Sequence, residues 1–286
     1  MNWNQPRGKP SFLTTCILTT IAHRETCGDT GKMKPLTDFN SRLKVLATDI
    51  DDTLTHDGRL GPEAYQALWD LHACGIHVIP VTGRPAGWCE MIARQWPVHS
   101  IVGENGAFYF RYDAAAKKMF RHYAEEPNPK ILKLKEKILG EVPGCAIASD
   151  QFCRMFDLAI DFCEDVPALP LSEAKKIKKI FEDAGAQAKI SSIHVNGWYG
   201  SFDKLKTTLV CLKNEFSLSP EQAKLQVGFA GDSPNDEPMF GFFPHSFAVQ
   251  NFSKLAHLVN KKPGFLASEE GGKGFVQIAS RVIHAS

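Results

Sequence analysis

The sequence lacks the features that mark several large classes of protein. Eight cysteines are spread over 286 residues with no C-x-x-C pair, which argues against a zinc site or a disulfide scaffold and favours a reducing compartment. The formal net charge of +1 shows no basic excess of the kind that binds nucleic acid. No apolar run approaches the ~20 residues of a membrane-spanning helix. We therefore expect a cytoplasmic protein with neither a nucleic-acid nor a membrane partner.

The first forty residues have little hydrophobic periodicity. The chain as a whole has a globular composition, with 43% hydrophobic and 23% charged residues. An apolar stretch at 11–22 weakly resembles a signal peptide, but four threonines dilute it and no small-x-small site follows. We interpret residues 1–40 as a loose N-terminal extension. Residues 1–32 should be dispensable, and Met33 is a candidate natural start.

Short apolar runs alternate with helical periodicity on both sides of the chain's middle. The run LKVLATD, which ends at Asp49, is typical of a strand buried on both faces. Similar patterns predict strands at 75–83, 100–108, 225–232, 246–249 and 264–267, and helices at 62–74, 88–96, 203–216 and 273–284. This alternation predicts an α/β fold, a Rossmann-like doubly wound parallel sheet, built from residues 41–111 and 200–286.

The middle of the chain breaks this alternation. Its patterns predict a hairpin at 108–123, helices at 129–139 and 172–184, and strands at 145–149, 154–163 and 187–195. We interpret residues 112–199 as a separate α+β module inserted into the core. The lysines of KLKEK and EAKKIKK are interpreted chiefly as solvated helix faces, with attraction of phosphate as the weaker alternative.

Acidic side chains follow the predicted core strands at the points where those strands end. Asp49 and Asp51 come after the first strand and share a face, because they are two residues apart. Asp232 and Asp236 come after the strand at 225–232. Parallel strands bring such ends together, and four carboxylates cannot all stay ionised there without a cation. Oxygen ligands without histidine or cysteine suit a hard ion, most plausibly Mg²⁺.

Four motifs together resemble those of the haloacid dehalogenase superfamily of phosphatases. They are D-x-D-x-T at 49–53, T-G-R at 82–84, a lysine opening a later helix, and G-D-x-x-N-D at 231–236. The inserted module lies between the second and third motifs. Its position resembles the type-II, B-subtype cap of subfamily IIB, which includes Cof-like sugar phosphatases, sucrose-phosphate phosphatase and mannosyl-3-phosphoglycerate phosphatase. The resemblance covers about residues 43–286.

The resemblance implies a role for each acid. Asp49 is implied as the nucleophile that forms an aspartyl phosphate, and Asp51 as the general acid and base. Asp232 is implied to bind Mg²⁺ together with Asp49 and the backbone carbonyl of Asp51, and Asp236 to support the metal shell. Lys204 would offset the negative charge of the nucleophile and the phosphoryl group.

The phosphate-binding residues follow from the other motifs. Thr82 and Gly83 are implied to hold phosphate oxygens, and Asn235 either lines the phosphate site or only shapes its turn. For Arg84, phosphate binding and bracing of the loop are equally open.

The lysine motif departs from the family pattern, because a leucine rather than the usual glycine follows Lys204. We prefer Lys204 to Lys206 because Asp203 is a plausible helix cap, which puts Lys204 in the first turn.

These observations predict a Mg²⁺-dependent phosphatase that hydrolyses a small phosphorylated metabolite. The resemblance to sugar phosphatases implies a sugar phosphate as that metabolite. A phosphomutase on the same scaffold and a non-catalytic phospho-ligand binding protein are the alternatives. The inserted module carries no readable specificity motif, and the sequence predicts no oligomeric state.

Overall fold

The computed structural model of the protein describes residues 33–285. Its helices are α1 (Pro62–Ala73), α2 (Ala86–Gln95), α3 (Lys135–Glu141), α4 (Leu171–Asp183), α5 (Lys204–Phe216), α6 (Pro220–Gln226), α7 (Glu237–Phe242) and α8 (Gly271–Ile283). Its strands are β1 (Lys34–Pro35), β2 (Val45–Thr48), β3 (Thr55–His56), β4 (Arg59–Leu60), β5 (His77–Pro80), β6 (Ile101–Gly103), β7 (Phe108–Asp113), β8 (Lys118–Tyr123), β9 (Ala146–Ile147), β10 (Leu158–Asp161), β11 (Gln187–Ile190), β12 (His194–Trp198), β13 (Val227–Gly231), β14 (His245–Ala248) and β15 (Phe265–Leu266).

A parallel sheet forms the centre of the described region, with strand order β1-β15-β14-β13-β2-β5. The central strands β2 and β13 are buried along their whole length. A parallel strand covered by helices on both faces needs such a continuous apolar run. The predicted doubly wound parallel sheet is therefore confirmed.

Alternate residues of the central strands pack into different cores. Leu46 and Val78 belong to a cluster that contains residues of α1, α2 and α8. Val45, Ala47 and Ile79 belong to a second cluster that contains residues of α5, α6 and α7. The two-residue period of a strand explains this division, because successive side chains point to opposite faces.

Residues 34–39 attach to the core through β1 and the buried Phe39, which differs from the predicted loose extension. β1 pairs with β15, and Phe39 is 1% exposed with its ring 4.9 Å from that of Phe247. Arg281 of α8 donates a hydrogen bond to the backbone oxygen of Phe39. A two-residue strand is too short to show periodicity, so the sequence pattern missed it. Residues 1–32, predicted to be dispensable, lie outside the described residues.

Two predicted strands are divided in the structure. The segment 100–108 contains β6, a turn at Glu104–Gly106 and the start of β7, and β7 turns back antiparallel to β6. The segment 187–195 contains β11 and the start of β12, which are joined by a turn at 191–193. A short turn interrupts the apolar run in both cases. The first contains the turn dipeptide Asn105-Gly106, whereas the second, at 191–193, contains neither glycine nor proline.

The inserted module has its own sheet and its own core. Its strands follow the order β11-β12-β10-β9 with antiparallel pairing, and α4 packs on β11 and β12. The predicted helix at 129–139 begins as a 3-10 turn at Pro129–Leu134 and continues as α3. We call this module the cap. β7 pairs with both β6 and β8, so the predicted boundary between core and cap at residue 111 falls inside β7. The domain boundaries at 111 and 200 remain predictions.

Candidate active site

A buried ion-pair cluster lies at the carboxyl ends of β2 and β13. Lys204, the first residue of α5, donates hydrogen bonds to Asp49 Oδ1 at 2.8 Å and to Asp236 Oδ1 at 3.0 Å. The Lys204 and Asp49 side chains are each 7% exposed, and that of Asp236 is 0% exposed. Asp203 caps α5 by accepting the backbone N–H of Lys206. The cap fixes the register of the helix, which is why Lys204 points into the cluster.

Lys206 has a different environment from Lys204. Its side chain is 63% exposed and its ammonium group lies 3.4 Å from Asp203 Oδ2. The preference for Lys204 therefore agrees with where the structure places the two lysines.

Three carboxylates of this cluster are arranged in a way that fits a metal ion. One oxygen from each of Asp49, Asp232 and Asp236 lies within 4.8 Å of the other two. Lys204 offsets one of the three carboxylate charges, so a divalent cation would neutralise the remaining two. Oxygen-only donors fit a hard cation such as Mg²⁺.

The electrostatics of the cluster also favour a bound cation. Burial raises the pKa of Asp49 to about 7, although the neighbouring Lys204 opposes the shift. Burial, and then the charges of Asp49 and Asp236, raise the pKa of Asp232 well above its usual value. Carboxyl groups whose charged forms are this unfavourable need additional positive charge to remain ionised.

Neighbouring residues hold the acids close together. Asp236 Oδ2 accepts the backbone N–H of Asp232 at 3.2 Å. A Cβ atom on Gly231 would lie 2.5 Å from that same oxygen, so the glycine of the G-D-x-x-N-D motif permits the approach. Asn251 donates to Asp232 Oδ2 at 3.4 Å and to the backbone oxygen of Asp52 at 3.0 Å. No motif in the sequence indicated Asn251.

Arg84 connects the predicted general acid to the cap. Its Nε and Nη2 atoms donate to Asp51 Oδ1 at 3.0 and 2.8 Å, and Nη2 also donates to Glu164 Oε1 at 2.9 Å. The Arg84 side chain is 5% exposed, and its guanidinium lies 4.4 Å from the ring centre of Trp88. In this structure Arg84 therefore braces Asp51, which is one of the two roles left open by the sequence.

Of the remaining residues of the phosphate motifs, Gly83 and Asn235 line the cavity between core and cap, whereas Thr82 is fully buried and does not line it. Thr82 Oγ1 accepts the backbone N–H of Arg84 at 3.0 Å. The carbonyl of Gly83 accepts Nη1 of Arg154 from the cap at 2.9 Å. Asn235 Oδ1 accepts the hydroxyl of Ser233 at 2.8 Å, and Asn235 lines the cavity next to Asp232.

The cap contributes an acid and a histidine that sequence reasoning did not identify. Glu164 Oε2 lies 2.9 Å from Nε2 of His194. The His194 hydrogen bond, followed by that from Arg84, lowers the pKa of Glu164 to about 2. Antiparallel pairing places Asp161 at the end of β10 opposite His194 at the start of β12. Glu164, three residues after Asp161, therefore meets His194, which lies thirty residues further along the chain. The spacing of residues along the sequence does not indicate this contact between Glu164 and His194.

A second carboxylate fastens the cap to the core. Glu104 is fully buried and accepts the backbone N–H groups of Ala86, Met155 and Phe156 at 3.0, 2.9 and 2.6 Å. Glu104 has a φ of 42°, a left-handed conformation that a non-glycine residue adopts only when its surroundings enforce it. The turn at 104–106 therefore holds the cap in place.

These residues enclose a small cavity of about 20 Å³ that is lined by both the core and the cap. Asn105 lines it with a side-chain nitrogen that is buried and has no hydrogen-bond partner among residues 33–285. Since an unpaired buried donor costs ~1–3 kcal/mol, this nitrogen is a candidate ligand contact.

Comparison with known proteins agrees with this geometry. The family model of the haloacid dehalogenase-like hydrolases matches residues 46–141, which contain Asp49, Asp51 and the Thr-Gly-Arg triplet. Over these residues the chain is similar to the haloacid dehalogenase-like hydrolases. It is also 46% identical over 44 residues to a provisionally named phosphatase of Streptococcus pyogenes serotype M6. That match spans 15% of this chain and 16% of the streptococcal protein.

Solved structures share the fold over most of this chain. Thermoplasma acidophilum 0175 has a TM-score of 0.66 at 18% identity, covering 84% of this chain and 98% of its own. A HAD/COF-like hydrolase of Plasmodium vivax has a TM-score of 0.62 at 18% identity, covering 86% and 97%. The sucrose-phosphatase of Synechocystis sp. PCC6803, solved with sucrose and phosphate, has a TM-score of 0.57 at 16% identity, covering 84% and 98%. The predicted resemblance to subfamily IIB is confirmed.

Within residues 33–285, no helix has both the length and the apolar character needed to cross a bilayer.

Proposed function

We propose that the protein is a Mg²⁺-dependent phosphatase that hydrolyses a small phosphorylated metabolite through an aspartyl-phosphate intermediate. The observation that carries this proposal is Lys204, whose ammonium group lies between Asp49 and Asp236. A buried lysine held against a buried acid can offset charge on the acid and on a phosphoryl group transferred to it.

The proposed reaction has two steps. A carboxylate oxygen of Asp49 attacks the phosphorus atom, so that a new O–P bond forms and the bond to the leaving oxygen breaks. Asp51 donates a proton to that leaving alkoxide. In the second step Asp51 takes a proton from water, and the water oxygen attacks phosphorus and releases both Asp49 and inorganic phosphate.

Arg84 occupies the side chain of Asp51. Its guanidinium donates two hydrogen bonds to Asp51 Oδ1. The first step needs Asp51 free to donate a proton to the leaving oxygen. We infer that Arg84 releases Asp51 when the substrate's phosphate arrives, since the guanidinium can then bind phosphate oxygens and still contact Glu164.

The metal part of the proposal rests on the acid cluster. Asp49, Asp232 and Asp236, together with the backbone carbonyl of Asp51, would hold Mg²⁺, which when bound supplies positive charge beside the transferring phosphoryl group. Asp236 is shared with Lys204, so its proposed part is to orient the site as well as to contribute an oxygen.

We also propose a sugar phosphate as the substrate and the cytoplasm as the location. The sucrose-phosphatase of Synechocystis, solved with sucrose and phosphate, supports a sugar. The free thiols of the described cysteines support a reducing compartment.

Release of inorganic phosphate from a panel of phosphorylated metabolites tests the function. We expect sustained release with Mg²⁺ from some members of the panel, and none from Asp49→Asn. Movement of phosphate between hydroxyls of one sugar without net release would instead indicate a phosphomutase. Saturable binding with neither reaction would indicate a binding protein, and either result would overturn the proposal.

A further inference from the structure

A groove extends the catalytic cavity along the boundary between cap and core. It has a volume of about 560 Å³ and shares Ser191, Ser192, Asp232, Ser233 and Asn235 with the catalytic cavity. Because the same residues line both spaces, a molecule whose phosphate lies beside Asp49 can extend into the groove.

Three lysines of the cap line this groove. Lys175 and Lys178 belong to α4 and Lys189 belongs to β11, the strand on which α4 packs. Neither Lys175 nor Lys189 has an ion-pair partner within the described part of the chain, whereas Lys178 lies 3.5 Å from Glu182. The single carboxylate of the lining is Asp232, which already belongs to the catalytic cluster. The outer groove therefore has an uncompensated positive charge.

The groove is also partly apolar. Leu171 lies four residues before Lys175 on the same face of α4, and it is 47% exposed. Leu258 lines the core side of the groove and is 46% exposed. Ala174, Ile177 and Phe181 occupy the opposite face of α4 and are buried in the cap core. The face with Leu171 and Lys175 thus stays available to a ligand.

We propose that this groove binds the leaving group of a phosphomonoester that carries a second anionic group, a carboxylate or a phosphate, joined through an apolar portion. The inference rests on the proposed phosphatase function and narrows its substrate class. Charge complementarity with Lys175 and Lys189 selects the anionic group, and the leucines accommodate the apolar portion. The lysines of EAKKIKK therefore have different environments. Lys175 and Lys178 line the groove, whereas Lys179 is 72% exposed and lies 2.8 Å from Asp183.

Matched aryl phosphates test the proposal. Phenyl phosphate offers an apolar body alone, 4-carboxyphenyl phosphate adds a carboxylate, and 1,4-phenylene bisphosphate adds a phosphate. We expect kcat/KM to be about tenfold higher for one or both of the doubly anionic compounds, the sum of two modest contributions from partly exposed cations. High salt should reduce this preference, since exposed charges are screened. The compound preferred identifies the second group as carboxylate or phosphate.

Variants locate the preference in the groove. In the double variant Lys175→Ala with Lys189→Ala, the ratio of kcat/KM between doubly anionic and plain substrates should fall towards one. Lys179→Ala is the matched control, because it removes a lysine from the same helix outside the groove and should keep the ratio. Melting temperatures identify any variant that fails to fold, and the charge-preserving Lys175→Arg then serves as a second test that should retain the preference.

The outcomes separate this inference from the proposed function. Hydrolysis of phenyl phosphate without any preference for a second anion would overturn the proposed role of the groove but would not contradict the proposed phosphatase function. An equal loss of preference in Lys179→Ala would also overturn it. If the double variant changed only inhibition by inorganic phosphate, the groove would be a product exit and the proposal would be wrong. Failure to hydrolyse any of the three compounds, or the metabolite panel, would count against the phosphatase itself.

Discussion

The two halves of the catalytic cavity are built in different ways. The core half takes Asp49 and Asp232 from the ends of buried parallel strands and Lys204 from a capped helix start. The cap half takes Glu164 and His194 from an antiparallel sheet in which distant residues pair. Parallel strands deliver their carboxyl ends to a shared edge in any doubly wound fold, while the cap's contacts depend on its own register. The difference suggests that chemistry is assigned to the core and substrate choice to the cap.

The largest expected effect belongs to the core. Asp49→Asn should reduce phosphate release below detection for every substrate, because an amide cannot form the acyl phosphate. The substitution removes one acceptor of Lys204 but leaves Asp236, so the variant should fold. Initial rates and a melting curve check both expectations. Turnover near the wild-type rate would remove Asp49 from its proposed role.

Removal of metal should have an effect of similar size. An excess of chelator should stop phosphate release and Mg²⁺ should restore it, because the charge on Asp49, Asp232 and Asp236 then lacks its counterion. Ca²⁺ should inhibit, since it prefers more ligands and a looser geometry. Full activity in chelator would contradict the proposed site.

Lys204→Ala should lower kcat by roughly 10²–10³, because the transition state loses a preorganised cation. Lys206→Ala is the matched control. The Lys206 side chain is 63% exposed, and its ammonium group contacts only Ser201 and Asp203 near the start of α5. The control should change kcat little. If Lys206→Ala were the inactive variant, the orientation of α5 in the mechanism would be wrong.

Asp51→Asn should lower turnover by ~10²–10⁴, the usual range for a general acid and base. The loss should be smaller for aryl phosphates than for alkyl phosphates, because a phenolate leaves without a full proton transfer. Comparing phenyl phosphate with a sugar phosphate measures this difference. An equal loss on both would argue that Asp51 serves only to hold Arg84.

The smallest expected effect comes from the cap. Glu164→Gln removes a group whose pKa falls from its usual 4.5 to about 2 in the folded protein. Such a group stabilises the fold above pH 4.5, and this stabilisation is lost as the pH falls towards 2. The variant should therefore melt about 2–4 °C below wild type at neutral pH, with the difference shrinking in acid.

Glu141→Gln is the control for this prediction, because Glu141 is 48% exposed and its nearest cation is 4.0 Å away. Its melting temperature should follow that of the wild type. A gap between Glu164→Gln and wild type that grew below pH 4 would reverse the predicted sign.

The same contrast explains how much could be predicted from the sequence. The parallel sheet and the core acids followed from apolar runs that end in polar residues, and Lys204 followed from the neighbouring Asp203. The contact between Glu164 and His194 could not be predicted from the sequence, because the register of antiparallel strands is not encoded in local residue spacing. Asn251, which contacts Asp232, lies in a loop without a motif. β1 was missed because two residues carry no period.

The central claim is that Asp49 carries the phosphoryl group, and its direct test is to trap that intermediate. The Asp51→Asn variant should be mixed with phenyl phosphate and Mg²⁺, quenched in acid, digested and examined by mass spectrometry. We predict one added phosphoryl group on the peptide that contains Asp49, and its absence when Asp49→Asn is added to the same variant. Phosphate release by the wild type with a phosphoryl group found on a different residue would contradict the account.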